Sequence, residues 1–275
     1  MNVQRIDRPV KDDWNTGHLR FAAALFATNL KASLAQRGAF AMQVLFMIVN
    51  NLVFFVFWWA LMNRVDTIRG WRIGDIQVLF GIVAASVGLA GAVTGGVRHL
   101  GRLIDNGELD TLLTQPRPVL PYAIGLRMQA SGLGDVLSGI AFIVWSGQVS
   151  WREWPAVALA VSGSAVMFVA CSVVFFSLAF WLGQVESVAR QLWDLLITFS
   201  LYPEPLFGGL LRFALFTVLP AGFVGYVPAD LVRDPTLGRA AVLVLGSAVY
   251  LTLAIAIFHR GLRRYSSGSR FGTFG

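Results

Sequence analysis

Seven mostly apolar runs leave this chain few folds: Phe40–Met62, Ile76–Val97, Ala123–Trp145, Pro155–Leu182, Val188–Tyr202, Leu206–Val227 and Arg239–Phe258. A bilayer core about 30 Å thick is crossed by roughly 20 apolar residues in a helix. A helix also satisfies its own backbone hydrogen bonds where no water can. The runs therefore specify an all-α integral membrane protein. Only 13% of the residues are charged, against about 25% in a soluble domain.

The fifth and sixth runs are joined by "YPEPLFGG", in which Pro203 and Pro205 break a helix and Glu204 is costly to leave in hydrocarbon. Basic residues gather at both chain ends. Arg5, Arg8, Lys11, Arg20, Lys31 and Arg37 precede the first run, and Arg260, Arg263, Arg264 and Arg270 follow the last. Positive charge marks the cytoplasmic side, so both termini are assigned there and the number of crossings is even. The sixth run is accordingly read as re-entrant or lying in the outer leaflet, which leaves six transmembrane helices. Arg98, Arg102, Arg117 and Arg127 then fall in the cytoplasm, in line with the rule, whereas Arg64, Arg69 and Arg72 fall outside, against it. The chain divides into a cytoplasmic segment with an interfacial helix (1–38), a transmembrane domain (39–259) and a basic cytoplasmic tail (260–275).

Asp7, Asp12 and Asp13, mixed with basic residues ahead of the first run, are the wrong layout for a cleaved signal peptide. The first span is expected to serve as the insertion signal and stay. Before it, Leu19, Ala22, Ala23, Phe26, Leu30 and Leu34 recur every three or four residues, with Arg20, Asn29, Lys31 and Arg37 on other faces. This predicts an amphipathic helix along the inner headgroup layer, with a soluble helix folded onto the loops as the alternative. In the second run Ala84, Gly88, Ala92 and Gly96 stand at every fourth position, with Gly91 and Gly95 beside them. Such a stripe lets helices approach closely, either between subunits or within the chain. Ala156, Ala160 and Ser164 repeat it more weakly.

Several chemistries are opposed by the sequence. Lys11 precedes Asp12 and Lys31 precedes Ala32, so no Walker A motif is present. His18, His99 and His259 form no metal-binding motif, and the lone Cys171 lies in an apolar run. No nucleophile elbow or dinucleotide fingerprint occurs, so neither an enzyme nor a resident cofactor or metal is expected. The net charge of +7 is read as orientation and contact with anionic headgroups, not as nucleic-acid binding. Within the runs, Asn50, Asn51, Asp135 and Asp194 are the polar candidates for a translocation path, or else for interhelical hydrogen bonds. Asp135 shares a face with Arg127, Ser131 and Ser138.

The stretch "RLIDNGELDTLLTQPRP" interrupts the apolar pattern. Asn106 or Gly107 can start a helix with Glu108 and Asp110 in its first turn. Leu109, Leu112 and Leu113 then share one face, and Pro116, Pro118 and Pro121 end the helix. An exposed leucine face on a cytoplasmic loop suggests docking; a loop helix packed under the bundle is the alternative.

"NGELDTLLTQP" resembles the G-x-L-D-x-L-L-x-x-P element of ABC-2-type transporter permeases of the six-span group, through Gly107, Leu109, Asp110, Leu112, Leu113 and Pro116. The region Phe26–Arg37, the pair Tyr202–Pro203 and the prolines Pro220 and Pro228 extend the likeness over nearly the whole chain. The resemblance implies a permease of a bacterial inner-membrane ABC exporter. Asp105, Gly107, Glu108, Leu109, Asp110, Leu112, Leu113 and Pro116 would form its coupling helix, and Tyr202, Pro203, Pro220 and Pro228 would belong to the re-entrant segment. It further implies two copies of a separate ATP-binding subunit, which bind ATP and Mg, and a second permease, either a different chain or a copy of this one. A self-sufficient channel or ion-coupled transporter using Asp135 and Asp194 is the competing reading. Aromatic stretches such as "FFVFWW" suit an amphipathic cargo and lipid contact equally, so the substrate stays open.

Overall fold

The computed structural model describes residues 14–65 and 67–265. Arg5, Asp7, Arg8, Lys11, Asp12, Asp13 and Arg270, on which part of the topology and leader reasoning rests, lie outside them, as do the side chains of His18 and Leu19. The helices are α1 (Trp14–Ala35), α2 (Arg37–Met62), α3 (Ile73–Thr94), α4 (Leu100–Asp105), α5 (Asp110–Leu113), α6 (Val119–Gly125), α7 (Ser131–Trp145), α8 (Trp154–Ser177), α9 (Ala179–Leu182), α10 (Glu186–Ser200), α11 (Gly209–Thr217), α12 (Val227–Arg233) and α13 (Leu237–Leu262). Three 3-10 turns (Gly95–His99, Trp151–Glu153, Glu204–Leu206) and a π-helical turn (Gly222–Tyr226) join some of them. The described residues contain no β-strand, only an isolated bridge between Ile68 and Trp71.

Among the described residues, four segments are long and apolar enough to cross a membrane: Arg37–Met62, Ile73–Asp105, Trp151–Leu182 and Leu237–Leu262. The third and fifth runs differ from expectation. α7 and α10 have 15 residues each, a rise of about 22 Å at 1.5 Å per residue and less than a bilayer core. The third run breaks because 126–130 leaves the helix, and there the Gln129 N–H donates to the Gly91 carbonyl of α3 at 3.0 Å. In the sixth run, α11 and the Gly222–Arg233 segment meet at 73°. Pro220, which has no N–H to continue the ladder, sits at the break. The bend fits a re-entrant loop as well as a broken span.

α3 forms the centre of the bundle, buried along nearly its whole length between α7 and α8. Its small-residue stripe is used within the chain. A Cβ on Gly88 would stand 2.5 Å from the Gly132 carbonyl oxygen, and one on Gly81 2.6 Å from that of Gly139. In lipid, where apolar burial between helices drives little, such backbone contact supplies the van der Waals attraction that holds a pair together. The weaker stripe on α8 is likewise internal: Ala160 is fully buried, and the Ser164 hydroxyl donates to the Val224 carbonyl at 2.6 Å. α2 and α13 instead expose much of their apolar surface, including Phe46, Val53, Leu245 and Val249.

α1 forms, and the side it turns to the protein matches the expected face only in part. Phe26 and Leu30 of that face are half-buried together with Phe21, Leu25 and Asn29, while Ala22, Ala23 and Leu34 are exposed. Phe21 packs edge-on against Tyr122 at 5.5 Å, and the Asn29 amide donates to the Gly125 carbonyl at 2.8 Å. The alternative, a helix folded onto the loops, therefore accounts for one face. The exposed alanines and Leu34 retain an apolar stripe on the other.

Candidate functional site

The 104–118 loop lies at the same end of the bundle as α1 and the carboxyl-terminal end of α13. α4 ends at Asp105, and a turn through Asn106–Leu109 follows before α5. Gly107 has φ +74°, a left-handed conformation that other residues rarely adopt. The helix expected from Asn106 or Gly107 onward is thus reduced to the four residues of α5. So short a helix has little stability of its own.

Burial of leucines anchors it, which reverses part of the expected exposed face. Leu109 and Leu112 are 0% and 5% exposed in the core, and Leu113, at 43%, is the one of the three that points out. The outer surface is otherwise polar: Glu108, Thr111, Thr114 and Gln115 are exposed, as are Pro116, Arg117 and Pro118. Asn106 Nδ2 donates to Glu108 Oε1 at 2.9 Å, and the Thr111 hydroxyl donates to the Glu108 carbonyl at 2.8 Å. These local bonds hold the turn in shape.

Tyr265 closes the loop from behind. A Cβ on Gly107 would lie 3.7 Å from its phenolic oxygen. Burial, and next the Asp110 carboxylate beside it, push the Tyr265 phenol up to about 12. Next to the loop lies a polar groove of about 1120 Å³ lined by Arg102, Asp105, Glu186, Arg190, Arg264 and Tyr265. Glu186 pairs with Arg190 at 2.5 Å and with Arg102 at 3.8 Å. The hydrogen bond from Arg190 holds the Glu186 carboxyl below its ordinary range.

Three of the four candidates for a path come together. Asn51 Nδ2 donates to Asp135 Oδ1 and to Ser138 Oγ, each at 2.8 Å, tying α2 to α7; all three residues are buried. The Ser138 hydroxyl in turn donates to the Gly134 carbonyl at 2.8 Å. Asn50 is exposed on α2 and, with Asn51 and Asp135, lines a cavity of about 360 Å³ whose walls include Phe54, Phe80 and Ile197. Asp194 is exposed on α10 and does not line that cavity. Gln129 and Trp193 do line it and were not anticipated, although a glutamine inside an apolar run was a visible sign.

The four re-entrant residues sit toward the opposite end. Tyr202 packs on Trp58 with ring centroids 5.5 Å apart, Pro203 begins the Glu204–Leu206 turn, and Pro220 and Pro228 are buried at the two ends of the π-helical turn. The same end is closed by a buried Asp75 paired with Arg233 at 3.1 Å, the Arg233 guanidinium lying over the Trp71 ring at 4.8 Å. Among the described residues, no three His, Cys, Asp or Glu side chains gather as a metal site would require.

No curated protein and no solved structure gives a significant match to the chain. The model of a family described as ABC-2 family transporter protein matches residues 48–269, which takes in the 104–118 loop, the Asn51–Asp135 cluster and the bent 209–233 segment. On that match, and on a bundle with several membrane-length helices, the chain belongs to the ABC-2 family as the multi-pass membrane component of an ABC transporter, a family that works with an ATP-binding subunit.

Proposed function

We propose that this chain is the permease subunit of an ABC exporter in a bacterial inner membrane, driven by separate ATPase subunits that dock on the 104–118 loop. The observation that carries it is the form of that loop: Leu109 and Leu112 buried as anchors beneath an exposed rim of Glu108, Thr111 and Leu113. A rim fixed to the core in this way transmits a push to α3 and α6. Two copies of the ATPase would bind ATP and Mg, and a second permease, identical or different, would complete the membrane unit. The sequence supplies no Walker A lysine of its own.

In this reading α2, α3, α7, α8, α10 and α13 are six crossings, with α7 and α10 short and the bilayer thinned or sheltered beside them. The interfacial segment (1–38), transmembrane domain (39–259) and basic tail (260–275) keep the roles read from the sequence, and both termini are cytoplasmic. The shared position of α1 and Tyr265 beside the loop supports this. A carrier built on both Asp135 and Asp194 is disfavoured, because Asp194 stands apart from the cavity that Asp135 lines.

The test is co-purification of the ATPase subunit with Leu113→Asp and Glu108→Arg variants, both at exposed positions. Loss of the ATPase with the permease still monodisperse is expected; full retention in both would remove the docking role.

A further inference from the structure

A second pocket, of about 630 Å³, opens where the α1–α2 junction meets the Gly95–His99 turn and the 126–130 segment. Arg98, His99, Arg127, Arg190 and Gln129 line it, and no acidic residue does. This sets it apart from the neighbouring groove, where Asp105 and Glu186 balance the arginines. Arg98 forms a half-buried floor, and Arg127 and Arg190 stand exposed at the rim. Arg190 is tied to Glu186, which holds its guanidinium in place.

The pocket continues toward the bundle. Gln129 lines both it and the apolar cavity beside Asn51 and Asp135. The Arg98 guanidinium lies 4.6 Å above the ring of Trp193, which forms another wall of that cavity. A void of about 10 Å³, room for a single water, is lined by Arg98, Gln129 and Trp193 between the two. Arginines at one end and Phe54, Val87 and Ile197 at the other are therefore divided by little more than the Gln129 side chain, which has to turn aside for the cationic pocket and the apolar cavity to join.

We infer that this site binds an anionic amphiphile of the adjoining leaflet, its phosphate held by Arg98 and Arg127 and its apolar chain entering the cavity as the Gln129 side chain turns aside. Guanidinium groups suit phosphate oxygens because their fixed N–H fork donates two parallel charge-assisted bonds. Basic pockets between helices at the headgroup level recognise lipid phosphates on the same grounds. The site stands apart from ATPase docking, since Arg127 lies outside the 104–118 loop and its substitution should leave ATPase co-purification intact.

Native mass spectrometry of the full-length chain, titrated with phosphatidylglycerol, phosphatidylcholine of matched chains, or glycerol phosphate, tests it. Phosphatidylglycerol should bind at least about tenfold more tightly than phosphatidylcholine. Arg98→Gln and Arg127→Gln should each weaken it by about tenfold, the worth of a charge-assisted bond. Arg260→Gln, a basic change on α13 away from the pocket, should leave it unchanged. Equal binding of phosphatidylcholine, or an equal loss in Arg260→Gln, would overturn the site. Glycerol phosphate should bind much more weakly than the lipid; binding as tight as the lipid's would overturn the apolar half. Val87→Phe, with its melting temperature checked, should weaken the lipid and leave glycerol phosphate unaffected, and an unchanged lipid affinity in the folded variant would count against the cavity.

Discussion

Asn51 of α2 and Asp135 of α7 are joined by a buried 2.8 Å hydrogen bond, so two helices that expose little else polar to each other are keyed by one amide and one carboxyl. Asn51→Leu removes the donor and leaves the acceptor buried, which costs about 1–3 kcal/mol. Asp135→Leu added to it should recover part of that loss, because it removes the stranded carboxyl, while the Ser138 hydroxyl keeps its bond to the Gly134 carbonyl. Thermal unfolding of the purified single and double variants decides the matter; additive losses would show that the two side chains do not depend on one another.

Gly88 and Gly101 predict opposite outcomes for the same substitution. A Cβ on Gly88 meets backbone of α7 at 2.5 Å, whereas on Gly101 it meets only Phe176 at 3.7 Å. Gly88→Ala should therefore destabilise by about 1–3 kcal/mol through overpacking. Gly101→Ala should be neutral or stabilise by up to about 1 kcal/mol through helix propensity. Melting temperatures in one detergent compare the two directly, and equal shifts would refute the close approach of α3 and α7.

Arg233→Gln should loosen α12 from α3. It removes the 3.1 Å partner of the buried Asp75, whose Oδ2 still accepts from the Arg72 N–H at 2.8 Å. Because Arg233 is about a third exposed, water compensates part of the loss, and a cost of about 1–2 kcal/mol is expected. Limited proteolysis should show faster cleavage between α11 and α12 in the variant, and an unchanged pattern would mean that packing alone holds α12.

Tyr265 makes the loop contact sensitive to alkali. Its phenol is raised from 10.0 to about 12, so the folded chain holds that proton more tightly than the unfolded one. The contribution is complete below about pH 10 and is lost as pH rises through about 12. Glu186 works in the opposite sense: its lowered value stabilises above the ordinary carboxylate range and is lost in acid. Ultraviolet titration of phenolate should show one fewer late-ionising tyrosine in Tyr265→Phe, and an unchanged number would mean that Tyr265 titrates as an ordinary phenol.

The limits of a linear reading show in particular residues. Long apolar runs mark helices, because span length is a property of consecutive residues, and α2, α3, α8 and α13 fall within or around those runs. Periodicity also put Leu109, Leu112 and Leu113 near one another, but spacing alone does not say which side of a face meets the core. The structure turns Leu109 and Leu112 inward. The same ambiguity left the Gly88 stripe open between subunits and the chain's own α7. Asp135 and Ser138 could be placed on one face from their spacing, yet their partner Asn51 comes from another helix, and no local pattern predicts it. The break at 126–130 escaped notice because hydropathy averages over Arg127 and Gln129.

The contact between Gly107 and Tyr265 also orders events in time. A ribosome makes Gly107 and Asp110 long before Tyr265, so the loop emerges without the residue that backs it. It acquires its final support only after α13 and the residues that follow it have been made, so the shape of this early turn is completed by one of the last described residues.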